Sequence, residues 1–136
     1  MQTNEIRERL DAYVRENYGI VPEILPFSKE KYEIFRHSDT GKWFAVFVEK
    51  EQSVFGFDGD GTAEILCVKP RDPYLADFLL SQPGYLGGYP SKSWKWLSVV
   101  LDGTVPFEEI CNLLDESYRA TKAKGKNLKT PLSKKE

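Results

Sequence analysis

The feature that most constrains the fold is the segment at residues 42–49, KWFAVFVE. In an extended strand, successive side chains point to opposite faces. Both faces of this segment are apolar, with Trp43, Ala45 and Phe47 on one and Phe44, Val46 and Val48 on the other. Since such a strand has to be covered on both sides, we predict that it is the central strand of a sheet.

The elements around this strand predict an α+β fold. Helical periodicity occurs at residues 3–18, after Asp72 and after Thr104, the expected N-cap of the last helix. Further strands are predicted at 31–37, 63–69 and 96–101, with a short one at 54–57. Hairpin-linked strands with segregated helices indicate a two-layer sandwich. Its sheet is mostly antiparallel, its helices lie on one face, and its order is roughly α-β-β-β-α-β-α.

The periodicities also predict which side chains point inward. In the last strand, Leu97, Val99 and Leu101 share one face, and Trp96, Ser98 and Val100 share the other. The last helix carries a stripe made of Ile110, Leu113, Leu114, Ser117 and Tyr118. For the middle helix we expect four inward side chains, Tyr74, Leu75, Phe78 and Leu79.

Charge divides the chain into a body and a tail. Residues 1–118 carry 12 basic and 20 acidic side chains, whereas residues 119–136 carry seven basic and one acidic. We predict a single domain at residues 1–120 and a basic, flexible tail at 121–136. The tail is either an arm for nucleic acid or an acidic partner, or a solvated terminus that aids solubility.

Several classes of protein are not expected. The sequence contains no run of about 18 apolar residues, so we do not expect a membrane span. The N-terminus does not resemble a signal peptide. Cys67 and Cys111 do not have the spacing of a metal or redox site. We expect both to be buried as small hydrophobic side chains in a reducing cytoplasm. A disulfide between them is the alternative.

Catalytic signals are equally sparse, so we predict a non-enzymatic protein without cofactor or metal. His37 is the only histidine, and we expect it at the surface or in a hydrogen-bonded structural role. The Asp58-Gly59-Asp60-Gly61 sequence does not continue as an EF-hand loop and is typical of a hairpin turn. The glycines at 84, 87 and 88 lack the ending of a phosphate loop, which favours a flexible loop.

Several motifs resemble the MmcQ/YjbR family of small bacterial proteins. They are Phe35-Arg36-His37, Lys42-Trp43-Phe44-Ala45, Val68-Lys69-Pro70, the spacing of Tyr89 and Trp96, residues 101–106 (LDGTVP) and Ser117-Tyr118. Pro90 and Lys95 stand where the family tract has histidines, so any site built on those histidines is absent. The resemblance implies a two-layer α+β domain that is described as DNA-binding.

The residues themselves give two hypotheses for function. Lysine and tryptophan alternate at 92–96, which is typical of phosphate neutralisation combined with base stacking. The predicted DNA-binding residues are Lys92, Trp94, Lys95, Trp96, Lys69, Arg71, Lys122, Lys124 and Lys126. The alternative is an adaptor or homodimer that pairs through an open aromatic face of the sheet, for which the candidates are Trp94, Trp96 and either Trp43 or Phe44. No small-molecule substrate is evident.

Overall fold

A computed structural model describes residues 3–24, 31–87 and 95–122 of the chain. Its helices are α1 (Thr3–Tyr18), α2 (Pro73–Leu80) and α3 (Phe107–Thr121). Its strands are β1 (Glu23–Ile24), β2 (Lys31–Arg36), β3 (Trp43–Glu51), β4 (Thr62–Val68), β5 (Tyr85–Gly87) and β6 (Leu97–Val100). Within these ranges, no helix has both the length and the apolar character required to cross a membrane.

The strands form one antiparallel sheet in the order β1-β2-β3-β4-β6-β5. The central position predicted for β3 is confirmed, because it lies between β2 and β4 and its residues 44–48 are buried. The α+β class is confirmed as well. Helices α1 and α3 pack on the same face of the sheet.

The core under these helices follows the predicted periodicities. Ile6, Leu10 and Val14 of α1 and Ile110, Leu113 and Leu114 of α3 are buried against the sheet. They meet the predicted inward face of β6, Leu97 and Val99, together with Leu101 just beyond it. A nonpolar stripe on each helix therefore encloses the first core of the domain.

Three local predictions are wrong. Residues 52–55 form a 3₁₀ helix, not a strand, which ends at Gly56 in a left-handed conformation. Thr104 does not cap α3, because its N–H binds the Asp102 side chain in the preceding turn and the helix begins at Phe107. The segment expected to be a flexible glycine loop contains β5, in which Tyr85 pairs with Val99.

Gly84 explains how β5 fits beside the turn before α3. Its φ is +90°, and a Cβ at this position would lie 2.7 Å from Cγ2 of Val105. Only glycine combines this backbone conformation with so close an approach. Its carbonyl accepts the N–H of Val100 at 2.8 Å, which continues the pairing with β6.

The second face of the sheet is not open, contrary to expectation. Its buried residues include Ile34, Val46, Val48, Ile65 and Cys67, all at most 1% exposed. Trp43 and Trp96 are half-buried and pack against the same cluster. Whether a face of the sheet is buried depends on segments that are distant in sequence. The alternation of side chains along one strand therefore cannot predict it.

Helix α2 also departs from the prediction, since only one of its four expected inward side chains is buried. Leu79 contacts the core, whereas Tyr74 is 84% exposed and Phe78 is 60% exposed. Leu75 is exposed too. The eight-residue helix lies beside β5 at the edge of the sheet, where one side of a helix finds a partner and the other does not.

A cluster of charges joins α1 to the sheet beside the core. The Arg7 guanidinium binds the carboxylates of Glu33 on β2 and Glu64 on β4, and its Nε lies 3.2 Å from Asp11. It also lies 3.6 Å from the ring centre of Phe47. Burial raises the pKa of Glu64, although the nearby Arg7 opposes the shift. The carboxylates therefore depend on Arg7 for compensation of their charge.

Replacing Arg7 should destabilise the fold far more than replacing an exposed arginine. Arg7→Met leaves three partly buried carboxylates, those of Asp11, Glu33 and Glu64, without their cation, which should lower the free energy of unfolding by about 3 kcal/mol. Arg36→Met is the matched control, because the Arg36–Glu23 pair is exposed and should contribute about 1 kcal/mol or less. Urea unfolding at pH 7 measures both. Equal losses would show that the Arg7 cluster has no special role.

Candidate nucleic-acid interface

Antiparallel pairing brings several strand ends to one end of the sheet. β3 begins here with Trp43, β4 ends here next to Lys69, and β6 begins here after Lys95 and Trp96. The register confirms this, since Ala45 pairs with Val68 and Val68 with Leu97. We call this region, defined by Lys42, Trp43, Lys69, Lys95 and Trp96, the tryptophan end of the sheet.

Two adjoining cavities open at the tryptophan end. The first, of about 390 Å³, is lined by Gly41, Lys42, Trp43, Lys69, Trp96, Ala120 and Thr121. The second, of about 520 Å³, is lined by Lys69, Pro70, Pro73, Ala76, Asp77, Leu80, Gly87, Lys95, Trp96 and Leu97. Both volumes fall within the usual range for ligand sites. Lys69 and Trp96 line both cavities, so the two form one continuous candidate site.

The cations at this end lie close to an acid, Asp77 in the lining of the second cavity, but form no ion pair with it in the described part of the chain. Within residues 3–24, 31–87 and 95–122, no ion pair involves Lys42, Lys69, Arg71 or Lys95. Arg71 is exposed two residues beyond Lys69, in the connection to α2. Lys122 follows Thr121 at the end of α3, with its Nζ 5.5 Å from the ring centre of Tyr118.

Many of the acids lie at the opposite end of the sheet. Glu49 and Glu51 end β3, Asp58 and Asp60 follow in the connection, and Glu64 lies near the start of β4. Nine residues of β3 separate the two ends by about 26 Å, well beyond the screening length of about 8 Å at physiological salt. The acids at that end are therefore largely screened from an anion that approaches the tryptophan end.

The backbone at Lys95 is strained. Its φ is +57°, and it is the one non-glycine residue with positive φ among those that the structure describes. A lysine in this region costs of order 1 kcal/mol or more, and such residues cluster at functional sites. The strained residue directly precedes Trp96 and lines the second cavity.

Hydrogen bonds from α3 hold in place the strand ends that form the first cavity. The Ser117 hydroxyl donates to the carbonyl of Phe44 at 2.6 Å and accepts the N–H of Lys69 at 2.9 Å. It thus connects β3 and the end of β4 through one buried side chain. Thr121, which lines the cavity, donates to the carbonyl of Ser117 at 2.8 Å.

His37 completes this network and is structural, not superficial. It is 2% exposed, and its Nε2 lies 2.8 Å from Oγ1 of Thr121. The same Thr121 hydroxyl is hydrogen-bonded to the carbonyl of Ser117, so His37 and the end of α3 belong to one hydrogen-bond network. The ring also contacts Tyr118 and Phe44, with centroids 4.5 and 5.1 Å away. Burial lowers the pKa of His37, and Lys122 and Lys42 act in the same direction against Asp39.

The structure brings together three of the predicted DNA-binding residues. Lys69, Lys95 and Trp96 line the second cavity, and Arg71 and Lys122 lie in segments next to the cavities. Lys92, Trp94, Lys124 and Lys126 lie outside the described residues. Sequence reasoning did not assign Lys42, Thr121 or Asp77 to the site. Lys42 could have been found from its position beside Trp43, whereas the other two are brought in by tertiary contacts.

Other chemically notable residues do not enlarge the site. Cys67 and Cys111 are buried and not disulfide-bonded, and burial raises the pKa of both thiols. Asp58 and Asp60 lie in the connection from β3 to β4. In the described ranges, no group of three or more His, Cys, Asp or Glu residues is arranged to hold a metal ion.

The small α+β architecture is that of a known family. The YjbR family model matches residues 19–120, which is most of the chain. The chain therefore belongs to the YjbR family, and the resemblance found from its motifs is confirmed.

Individual relatives agree with this assignment. The uncharacterized protein YyaQ of Bacillus subtilis is 34% identical over 117 residues, which cover 85% of this chain and 98% of YyaQ. A crystal structure of a Pseudomonas syringae protein matches with a TM-score of 0.76 and 29% identity, over 85% of this chain and 97% of the other. A solution structure from the same organism matches with a TM-score of 0.69 and 28% identity, over 84% and 90% of the two chains.

The burial of His37 should make stability depend on pH. Its pKa is lowered from 6.5 on folding, so the folded protein binds fewer protons than the unfolded chain as pH falls through 6.5. The stability present above that pH is then lost, by about 1.4 kcal/mol for each unit of pKa difference. Urea unfolding between pH 8 and 5 measures the loss. The difference in stability between wild type and His37→Gln should shrink towards pH 5, and a constant difference would contradict a buried neutral histidine.

Proposed function

We propose that this protein is a non-catalytic DNA-binding protein whose binding site is the tryptophan end of the sheet. The observation that carries the proposal is the convergence of Lys69, Lys95 and Trp96 on one cavity. Lysine ammonium groups neutralise phosphates, and an aromatic ring beside them offers a surface on which a base can stack.

The form of DNA that fits best is single-stranded. Trp43 and Trp96 are half-buried in the walls of the two cavities, so a base that enters a cavity to stack on either ring must leave its own stack. Unpaired bases can do so at low cost, whereas duplex bases must first be unstacked and unpaired. The phosphates on either side would then contact Lys42, Lys69 and Lys95.

We also propose that the protein is cytoplasmic and that its basic tail contributes to DNA binding. Two buried cysteines without a disulfide are consistent with the cytoplasm, where DNA is accessible. The basic residues after α3, including Lys124 and Lys126, would add electrostatic attraction to the same strand from the end of α3. Lys122 stands at the start of that basic run.

A protein-interaction module is the second candidate, and α2 is the observation that favours it. The surface first expected for pairing, the second face of the sheet, is buried. Tyr74 and Phe78 are instead exposed on neighbouring turns of α2, and exposed aromatic clusters commonly mark contact surfaces. Sedimentation of the full chain separates the candidates. A dimer lost in Tyr74→Ser/Phe78→Ser would favour this module, and a monomer would remove homodimerisation.

Charge removal at the tryptophan end should weaken DNA binding in a salt-dependent manner. Lys69→Gln and Lys95→Gln should each lower affinity for a labelled single-stranded oligonucleotide. Each should also reduce the slope of log K against log salt by about 0.7, because one fewer counterion is released. Fluorescence anisotropy of the oligonucleotide, between 20 and about 200 mM salt, gives both quantities.

The matched control removes the same charge from the other end of the sheet. Lys50 lies near the end of β3, opposite Ala63 of β4. Lys50→Gln should leave affinity and slope close to those of the wild type. An equal effect of all three variants would mean that binding depends on net charge alone, and no binding by the wild type at low salt would overturn the proposed function.

A further inference from the structure

The second cavity has a chemical asymmetry that the lysines do not explain. Its walls are largely apolar, formed by Pro73, Ala76, Leu80, Leu97 and the Trp96 ring. Gly87 closes one side, where a Cβ would lie 3.3 Å from Cδ2 of Leu80. One acidic side chain, Asp77 of α2, joins the two lysines in this lining.

A carboxylate at Asp77 would be unfavourable in a cavity that bound only phosphate. A carboxylate repels phosphate, and a neutral side chain at this position would avoid that repulsion. Its side chain is exposed, and in the described part of the chain no hydrogen bond or ion pair engages it. Its oxygens are therefore available to accept hydrogen bonds from a ligand.

An ionised carboxylate accepts hydrogen bonds and donates none. Among the DNA bases, cytosine and adenine present an exocyclic amino group, and guanine presents an amino group beside a ring N–H. Thymine has no amino group. Its one ring donor, N3–H, lies between two carbonyl oxygens, which would face the carboxylate unfavourably. An apolar slot with a tryptophan wall and one carboxylate thus has the chemistry to hold an amino-bearing base.

We propose that the second cavity holds one unstacked DNA base and that Asp77 selects bases that carry an amino group. This inference rests on the proposed function and extends it to base preference. Lys69 and Lys95 contact the flanking phosphates without discriminating between bases, while Asp77 accepts a hydrogen bond from the amino group of the base inside the cavity. Asp77 is thus the specificity-determining residue of the site.

The test compares single-stranded oligonucleotides of equal length made only of cytosine, adenine or thymine. Wild type should bind the cytosine and adenine strands at least about fivefold more tightly than the thymine strand, as expected for one base-selective contact. Asp77→Ala should bring the three affinities close together. Asp60→Asn removes an acid in the distant β3–β4 connection and should keep the wild-type preference.

Each other outcome counts against the inference. Equal wild-type binding to all three strands overturns the base preference but leaves DNA binding intact. A preference that survives in Asp77→Ala removes Asp77 from its role. A uniform gain in affinity in Asp77→Ala shows that the carboxylate only repels phosphate. If no strand binds at all, the proposed function fails and the preference fails with it. Near-ultraviolet circular dichroism of both variants confirms that they fold.

Discussion

The antiparallel pairing of β3 with β4 determines where the candidate site lies. Because neighbouring strands run in opposite directions, the start of β3 and the end of β4 lie at the same end of the sheet. Pairing of β4 with β6 adds the start of β6 to that end. Trp43, Lys69 and Trp96 are far apart in sequence, yet this register makes them neighbours around two cavities. The same register sends Glu49 and Glu51 to the opposite end.

Helix α3 makes this strand end a defined surface. Its inward stripe packs in the first core, which fixes the helix over the sheet. Its last turns then reach the tryptophan end, where Ser117 bonds Phe44 and Lys69, and Thr121 bonds His37. A site held by buried hydrogen bonds needs less ordering when a ligand binds, which favours affinity. The strained backbone at Lys95 fits the same picture, since its surroundings hold an unfavourable conformation in place.

The sequence predicted those features that depend on local periodicity. Alternation in β3 and β6 identified their faces, and the stripe of α3 identified its buried side, because each pattern repeats within one element. The grouping of Lys69, Lys95 and Trp96 was also predicted, and the structure places them around one cavity. In contrast, Tyr74 and Phe78 are exposed because α2 lies at the edge of the sheet. The sequence of the eight-residue helix itself does not predict that position. The burial of Trp43 and Trp96, and the entry of Asp77 into the cavity, likewise depend on long-range contacts.

If DNA contacts the tryptophan end, the amide and indole chemical shifts of that region should change when DNA is added. A ¹⁵N-labelled full chain would be titrated with a short single-stranded oligonucleotide, with resonances assigned. We expect the largest shifts at the indole N–H groups of Trp43 and Trp96. Among the backbone amides, we expect them at Lys42, Lys69 and Thr121. The amides of Glu49, Glu51 and Asp60 should be unaffected. Shifts concentrated on Tyr74 and Phe78, or spread evenly over the sheet, would mean that DNA does not bind at the tryptophan end.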